Sequence, residues 1–130
     1  MSKLETPMTR WYWHQVRGTL IEEFVASEEA IARGRRVLDA VIIKGGEFRC
    51  ARQSEVSIEG QDIIVVQTKA HRLGMYLMGQ ALFSAELVRR FNPRSVESVA
   101  LCARDDAVLR TLFERYENMK VVVCPPLSDS

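Results

Sequence analysis

Gln67 and Lys69, two positions apart at the polar end of Asp62-Ile63-Ile64-Val65-Val66-Gln67-Thr68-Lys69, are the residues here best spaced for chemistry. In an extended segment side chains alternate, so both point to one face where a buried strand meets solvent. An amide oxygen and an ammonium there suit a cation or a phosphate; the plainer alternative is the polar exit of a core strand. Asp39 interrupts the apolar run Val37-Leu38-Asp39-Ala40-Val41-Ile42-Ile43. A carboxylate so placed must be solvated, hydrogen-bonded or bound to a cation, because burying it unpaired is costly. Glu22 and Glu23 follow Gly18-Thr19-Leu20-Ile21. On a helix with Val16, Leu20 and Phe24 as its apolar stripe, Glu23 lies on the flank and reaches inward, while Glu22 points away.

These side chains need elements to hold them. Trp13, Val16, Leu20, Ile21, Phe24 and Val25 recur at three- and four-residue spacing, which predicts a helix from Thr9 to about Ala26. Ser27 reads as a fresh N-cap, with Glu28 and Glu29 in the first turn and Gly34 as the stop. Val37 to Ile43 predicts a strand, Gly45-Gly46 a tight hairpin turn, and residues 47 to about 58 the returning arm, before a turn near Gly60. Ile63 to Val66 shows no alternation, as expected of a central strand covered on both faces. A long helix is expected from about Leu73 to Phe91, with Met75, Leu77, Met78 and Leu82 in the core and Gly74 and Gly79 allowing close approach to the sheet. Asn92-Pro93 stops it. Val96 to Ala103 predicts a strand, Asp105 or Asp106 the cap of a third helix to about Asn118, and Lys120 to Cys124 a last strand. Strands separated by helices imply an α/β domain with a mixed central sheet flanked by helices, one domain over residues 1–130.

A helix Glu, a strand Asp, then an apolar strand ending in Gln-x-Lys resemble the PD-(D/E)XK nuclease superfamily, over roughly residues 18 to 91. The resemblance implies a restriction-endonuclease-like α-β-β-β-α-β core and Mg²⁺- or Mn²⁺-dependent hydrolysis of DNA phosphodiesters. It places the cation on Asp39, Gln67 and Glu23, and gives Lys69 the task of positioning or activating the attacking water. Three departures accompany it: Gln67-Thr68-Lys69 carries a neutral amide where the family has an acid, Leu38 precedes Asp39 in place of Pro, and the expected helix leaves little room for a strand between Glu23 and Asp39. A catalytically silent domain of the same fold, binding nucleic acid or a protein partner, is the alternative the resemblance leaves open. The chemistry suits the residues: hard oxygen donors fit Mg²⁺, and an ammonium beside it lowers the cost of a developing hydroxide.

Arg36 before the Asp strand, and His71 and Arg72 after Lys69, are expected to contact the phosphate backbone, with Arg33, Arg35, Arg49 and Arg52 nearby. Trp11, Tyr12 and Trp13 suit a core or dimer contact better than base stacking. At 130 residues and a formal net charge of +1, any nucleic-acid site must be a local patch. So small a chain offers little surface for grasping a duplex alone, and a homodimer or a larger complex would supply more. Cys50, Cys102 and Cys124 form neither a paired disulfide framework nor a zinc-ligand spacing, which suggests reduced cytoplasm. Neither a signal peptide nor a membrane span is expected. A nucleotide-binding α/β domain is disfavoured because no strand leads into a Gly-rich phosphate loop.

Overall fold

In the computed structural model, which describes residues 1–27 and 36–128, the first helix ends at Arg17 and Gly18, both at positive φ (66° and 89°). Helix α1 runs from Glu5 to Val16, and the chain then turns into strand β1, Thr19–Ser27. The single helix expected over Thr9 to Ala26 is therefore a helix and a strand, and Glu22 and Glu23 lie on the strand. The reversal is held by the Trp13 indole, whose Nε1 donates to the Gly18 carbonyl at 2.7 Å. Gly18 also passes close to β2, where a Cβ would run into the carbonyl oxygen of Ile43. Gly18→Ala is accordingly expected to cost about 2 kcal/mol or more, a fall of roughly 7 °C in Tm, measurable by thermal melting.

Strand β2 is Arg36–Ile43, β3 is the two-residue Arg49–Cys50, β4 is Asp62–Arg72, β5 is Ser95–Arg104 and β6 is Met119–Val123. Helix α2 spans Met75–Val88 and α3 spans Ala107–Phe113. The strands form one six-stranded sheet in the order β3-β1-β2-β4-β5-β6, with β1, β2 and β4 antiparallel in turn and β4, β5 and β6 parallel. The fold is thus an α/β mixed sheet, with β2 and β4 at its centre. The returning hairpin arm is not formed: after the turn at Gly45, residues 49 and 50 cross to the far side of β1 and pair with it in parallel. Of the two candidate caps for the third helix, Asp106 does the work, its carboxylate accepting from the Leu109 amide at 3.0 Å. The N-cap role of Ser27 with Glu28, Glu29 and Gly34, and the neighbouring Arg33 and Arg35, lie outside the described residues, apart from Ser27 itself, which ends β1.

Each sheet face carries its own core. Met8, Tyr12 and Trp13 of α1 cover Leu20, Ala40, Ile42, Ile64 and Val66, which assigns Tyr12 and Trp13 to packing, with Trp11 partly buried against the same cluster. Ala85 and Val88 of α2 cover Ile21, Phe24, Leu38, Val41 and Val65 on the other face. Both faces of β4 are therefore dry, which is why its sequence does not alternate. Leu77 is buried on α2, but Met75 is 77% exposed, and Gly79 meets nothing within van der Waals reach, so neither packs on the sheet as expected. Among the described residues no helix is long and apolar enough to cross a membrane.

Candidate active site

The central strands β2 and β4 pair from Ile43 opposite Ile63 as far as Ala40 opposite Val66, and there the backbone ladder ends. Beyond that point side chains bridge the gap. The Asp39 amide donates to Gln67 Oε1 at 3.3 Å, and Asp39 Oδ2 accepts from the Thr68 amide at 2.8 Å. Gln67 Nε2 donates to Ser84 Oγ of α2 at 2.7 Å, while Thr68 shares a hydrogen bond with Thr9 of α1 on the opposite face. Gln67 and Lys69 both lie on the α2 side, and the Lys69 ammonium stands 5.7 Å from the centre of the Tyr76 ring. Asp39 and Gln67 therefore meet at a fork in the middle of the sheet, with Lys69 one pleat further on.

A cation held by Asp39 and Gln67 beside Lys69 would be expected to gather all three side chains on one face of neighbouring strands, but the Asp39 carboxylate does not share a face with Gln67 and Lys69. Leu38 and Val41 both enter the α2-side core, so the two residues between them are released from that side. The charges acting on Asp39 come from the α1 side: the Met1 ammonium, Glu5 and Glu23. Burial pushes the Asp39 carboxyl above its ordinary value; the Thr68 amide and the Met1 ammonium oppose this, and Glu5 and Glu23 add to it.

Glu23 reaches this cluster from β1. The flanking pairs Glu22–Ala40 and Phe24–Leu38 put it opposite Asp39, and its φ of 52° breaks the strand's alternation. Its carboxylate binds the Met1 ammonium at 2.7 Å, whereas Glu22 is held by Arg10 of α1 at 2.8 Å. Glu5, in the first turn of α1, was missed because the helix was expected to begin at Thr9. The Ser2-x-x-Glu5 spacing is the signal: Ser2 Oγ accepts from the Glu5 amide and Glu5 Oε1 from the Ser2 amide, at 3.2 and 3.1 Å. Burial would raise the Glu5 carboxyl, but Ser2 and the nearby charge of Lys69 outweigh that and leave it lowered. Glu5 thus links the two halves of the fork, acting on Asp39 and feeling Lys69.

Of the basic residues, Arg36 is exposed at the start of β2, and His71 and Arg72 are exposed at the end of β4. Arg72 lies in register beside Arg104 of β5. Arg49 is paired with Glu47, and the Arg52 amide is bonded to Glu55.

The donor chemistry suits a hard divalent cation. Among the described residues, the Met1 ammonium is the positive group that Asp39, Glu5 and Glu23 all act on, and all three carboxylates raise its pKa. It stands where a cation would relieve their mutual repulsion. Among the described residues no three acidic, His or Cys side chains already converge into a complete ligand set, and no buried polar side-chain atom lacks a partner. The 3.3 Å bond to Gln67 Oε1 is the longest at the fork, and that oxygen is the donor most readily released to a ligand. No protein-family model, curated protein or solved structure matches the chain.

Proposed function

We propose that this chain is a nuclease domain of the PD-(D/E)XK type, hydrolysing DNA phosphodiester bonds at the fork between β2 and β4 with Mg²⁺ or Mn²⁺. The observation that carries the reading is the two-way bonding of Asp39 and Gln67 where the central strands part, with Lys69 next on the same strand. The element order supports it: α1, β1, β2, β4, α2, β5 is the α-β-β-β-α-β succession that the resemblance implies, β1 supplying the strand that had no room and β3 an insertion. Asp39 and Glu23 would hold the cation from the α1 side and Gln67 Oε1 from within the fork, where it now accepts from the Asp39 amide, with Glu5 close enough to add charge. When bound, a divalent cation supplies Lewis acidity to the phosphoryl oxygens. Lys69 holds the phosphate as a point charge and favours the proton loss that turns water into a nucleophile. Arg36, His71 and Arg72 contact flanking phosphates; Arg72 beside Arg104 repels it unless an anion lies between them.

One observation favours a second reading, a silent domain that binds nucleic acid without cutting: both ends of the Gln67 amide are committed to the fold. Incubating the wild-type chain with supercoiled, linear, branched and single-stranded DNA separates the two. The first reading expects cleavage of at least one substrate with Mg²⁺ or Mn²⁺, halted by chelator. Binding without any cleavage selects the second.

A further inference from the structure

Helix α2 presents an outward face that the fold leaves uncovered. Tyr76 and Phe83, seven residues apart and so on one side of the helix, are 74% and 68% exposed, and Gly79 between them meets nothing. Beside Phe83 a cleft of about 310 Å³ runs between α2 and the start of β2. Its walls include Arg36, Leu38, Gln80 and Phe83, and Gln67 and Ser84 lie along it. The cleft therefore opens onto the residue that joins Asp39 at the fork, and Tyr76 stands over Lys69 at the same end of the sheet.

We propose that this cleft is a subsite for one unpaired nucleotide, and that the substrate is nucleic acid with single-stranded character beside the scissile phosphate. This rests on the nuclease reading and adds the substrate class to it. Phe83 offers a flat apolar surface on which a base stacks, and Gln80 is a donor and acceptor beside it for a base edge. Arg36 supplies a cation for the phosphate of the same nucleotide. A duplex buries its base faces in its own stack, so neither Phe83 nor Gln80 has a partner in one. Tyr76 provides a second platform two helical turns away, along the path of the strand past Lys69. A cleft of this size lined by one cation, two amides and the Phe83 ring beside Val37, Leu38 and Leu87 suits the base and phosphate of a nucleotide better than the apolar face of a second copy. A dimer contact at this face would have to supply polar partners for Arg36 and the Gln80 amide.

The test is fluorescence anisotropy in chelator, with a labelled oligo-dT strand and a hairpin duplex of equal length, so that binding is read without cation or cleavage. Wild type is expected to prefer the single strand. Phe83→Ala should weaken that binding about tenfold or more and leave the hairpin within twofold, and Gln80→Glu should weaken it by repelling phosphate. Phe83 is exposed, and an unchanged melting curve checks that the variant folds. Single-strand affinity equal in wild type and both variants overturns the proposal, as does an equal loss on the hairpin. So does a wild-type dimer split by Phe83→Ala with no change in DNA affinity. A chain that binds the strand in this pattern but never cuts it overturns only the nuclease reading.

Discussion

If the chain cleaves DNA as proposed, Lys69→Ala is expected to lower single-turnover cleavage by about 10² to 10⁴ while leaving the melting temperature and its expected rise with Mg²⁺ nearly unchanged. None of the ion pairs among the described residues includes Lys69, so its removal breaks no direct salt bridge. Its ammonium stands beside the exposed ring of Tyr76, a contact worth little at that distance and exposure. A separate readout marks its position: the Lys69 charge helps to lower the Glu5 carboxyl, so Glu5 should titrate higher in the variant. Carbon-detected NMR of the carboxyl groups measures this without any substrate. Cleavage by wild type and variant at equal rates would identify a copurified nuclease.

Under the proposed cation site, Gln67→Glu is expected to make the stability of the fold depend on a divalent cation. The wild-type amide is 5% exposed and bridges the Asp39 amide and Ser84. Glutamate fills the same space and can accept from both neighbours, once the Ser84 hydroxyl turns to donate. It also puts a second carboxylate against Asp39, which burial, Glu5 and Glu23 already make reluctant to ionise. In chelator the variant should lose about 1–3 kcal/mol, or roughly 4–11 °C in Tm. Mg²⁺ should restore it by more than it stabilises wild type, because a carboxylate attracts the ion more strongly than an amide and binding adds RT ln(1 + [L]/Kd). Half-maximal cleavage should shift to lower Mg²⁺ concentration. Melting curves of wild type and variant that coincide with and without Mg²⁺ would remove Gln67 from the cation site.

The sheet's central strand, the helix after it and the strand and capped helix that follow were legible because local signals agreed: an unbroken apolar run, a proline stop and an aspartate cap. Residues 19 to 27 misled for a physical reason. At Glu23 the positive φ resets the alternation, so Ile21 and Phe24, three apart, enter the same core. That spacing imitates a helix. Strand β3 left no signal, being two residues paired in parallel with a distant partner. Asp39 and Gln67 could be named from sequence as polar interruptions of apolar strands, but their bond at the fork could not: it depends on where two strands stop pairing. Glu5 was hidden by placing the helix start four residues late, although its capping spacing with Ser2 was readable.

The most direct test of the fork as a cation-dependent phosphodiesterase site is single-turnover cleavage in Mn²⁺ by wild type and Asp39→Asn, assayed side by side on a substrate the wild type cuts. Asparagine keeps an oxygen for the Thr68 amide, so the fork stays closed and only the charge is lost. A melting series in chelator checks this independently. Asp39 binds its proton more tightly folded than unfolded, so the folded state carries more protons between its ordinary and raised pKa, and wild-type stability falls as pH rises through that window. The variant should lack this fall and melt no lower than wild type at neutral pH. With folding so verified, wild type is expected to cleave until chelator is added, and Asp39→Asn to be at least about a hundredfold slower. Equal rates in the two proteins, or cleavage that survives the chelator, would contradict the account.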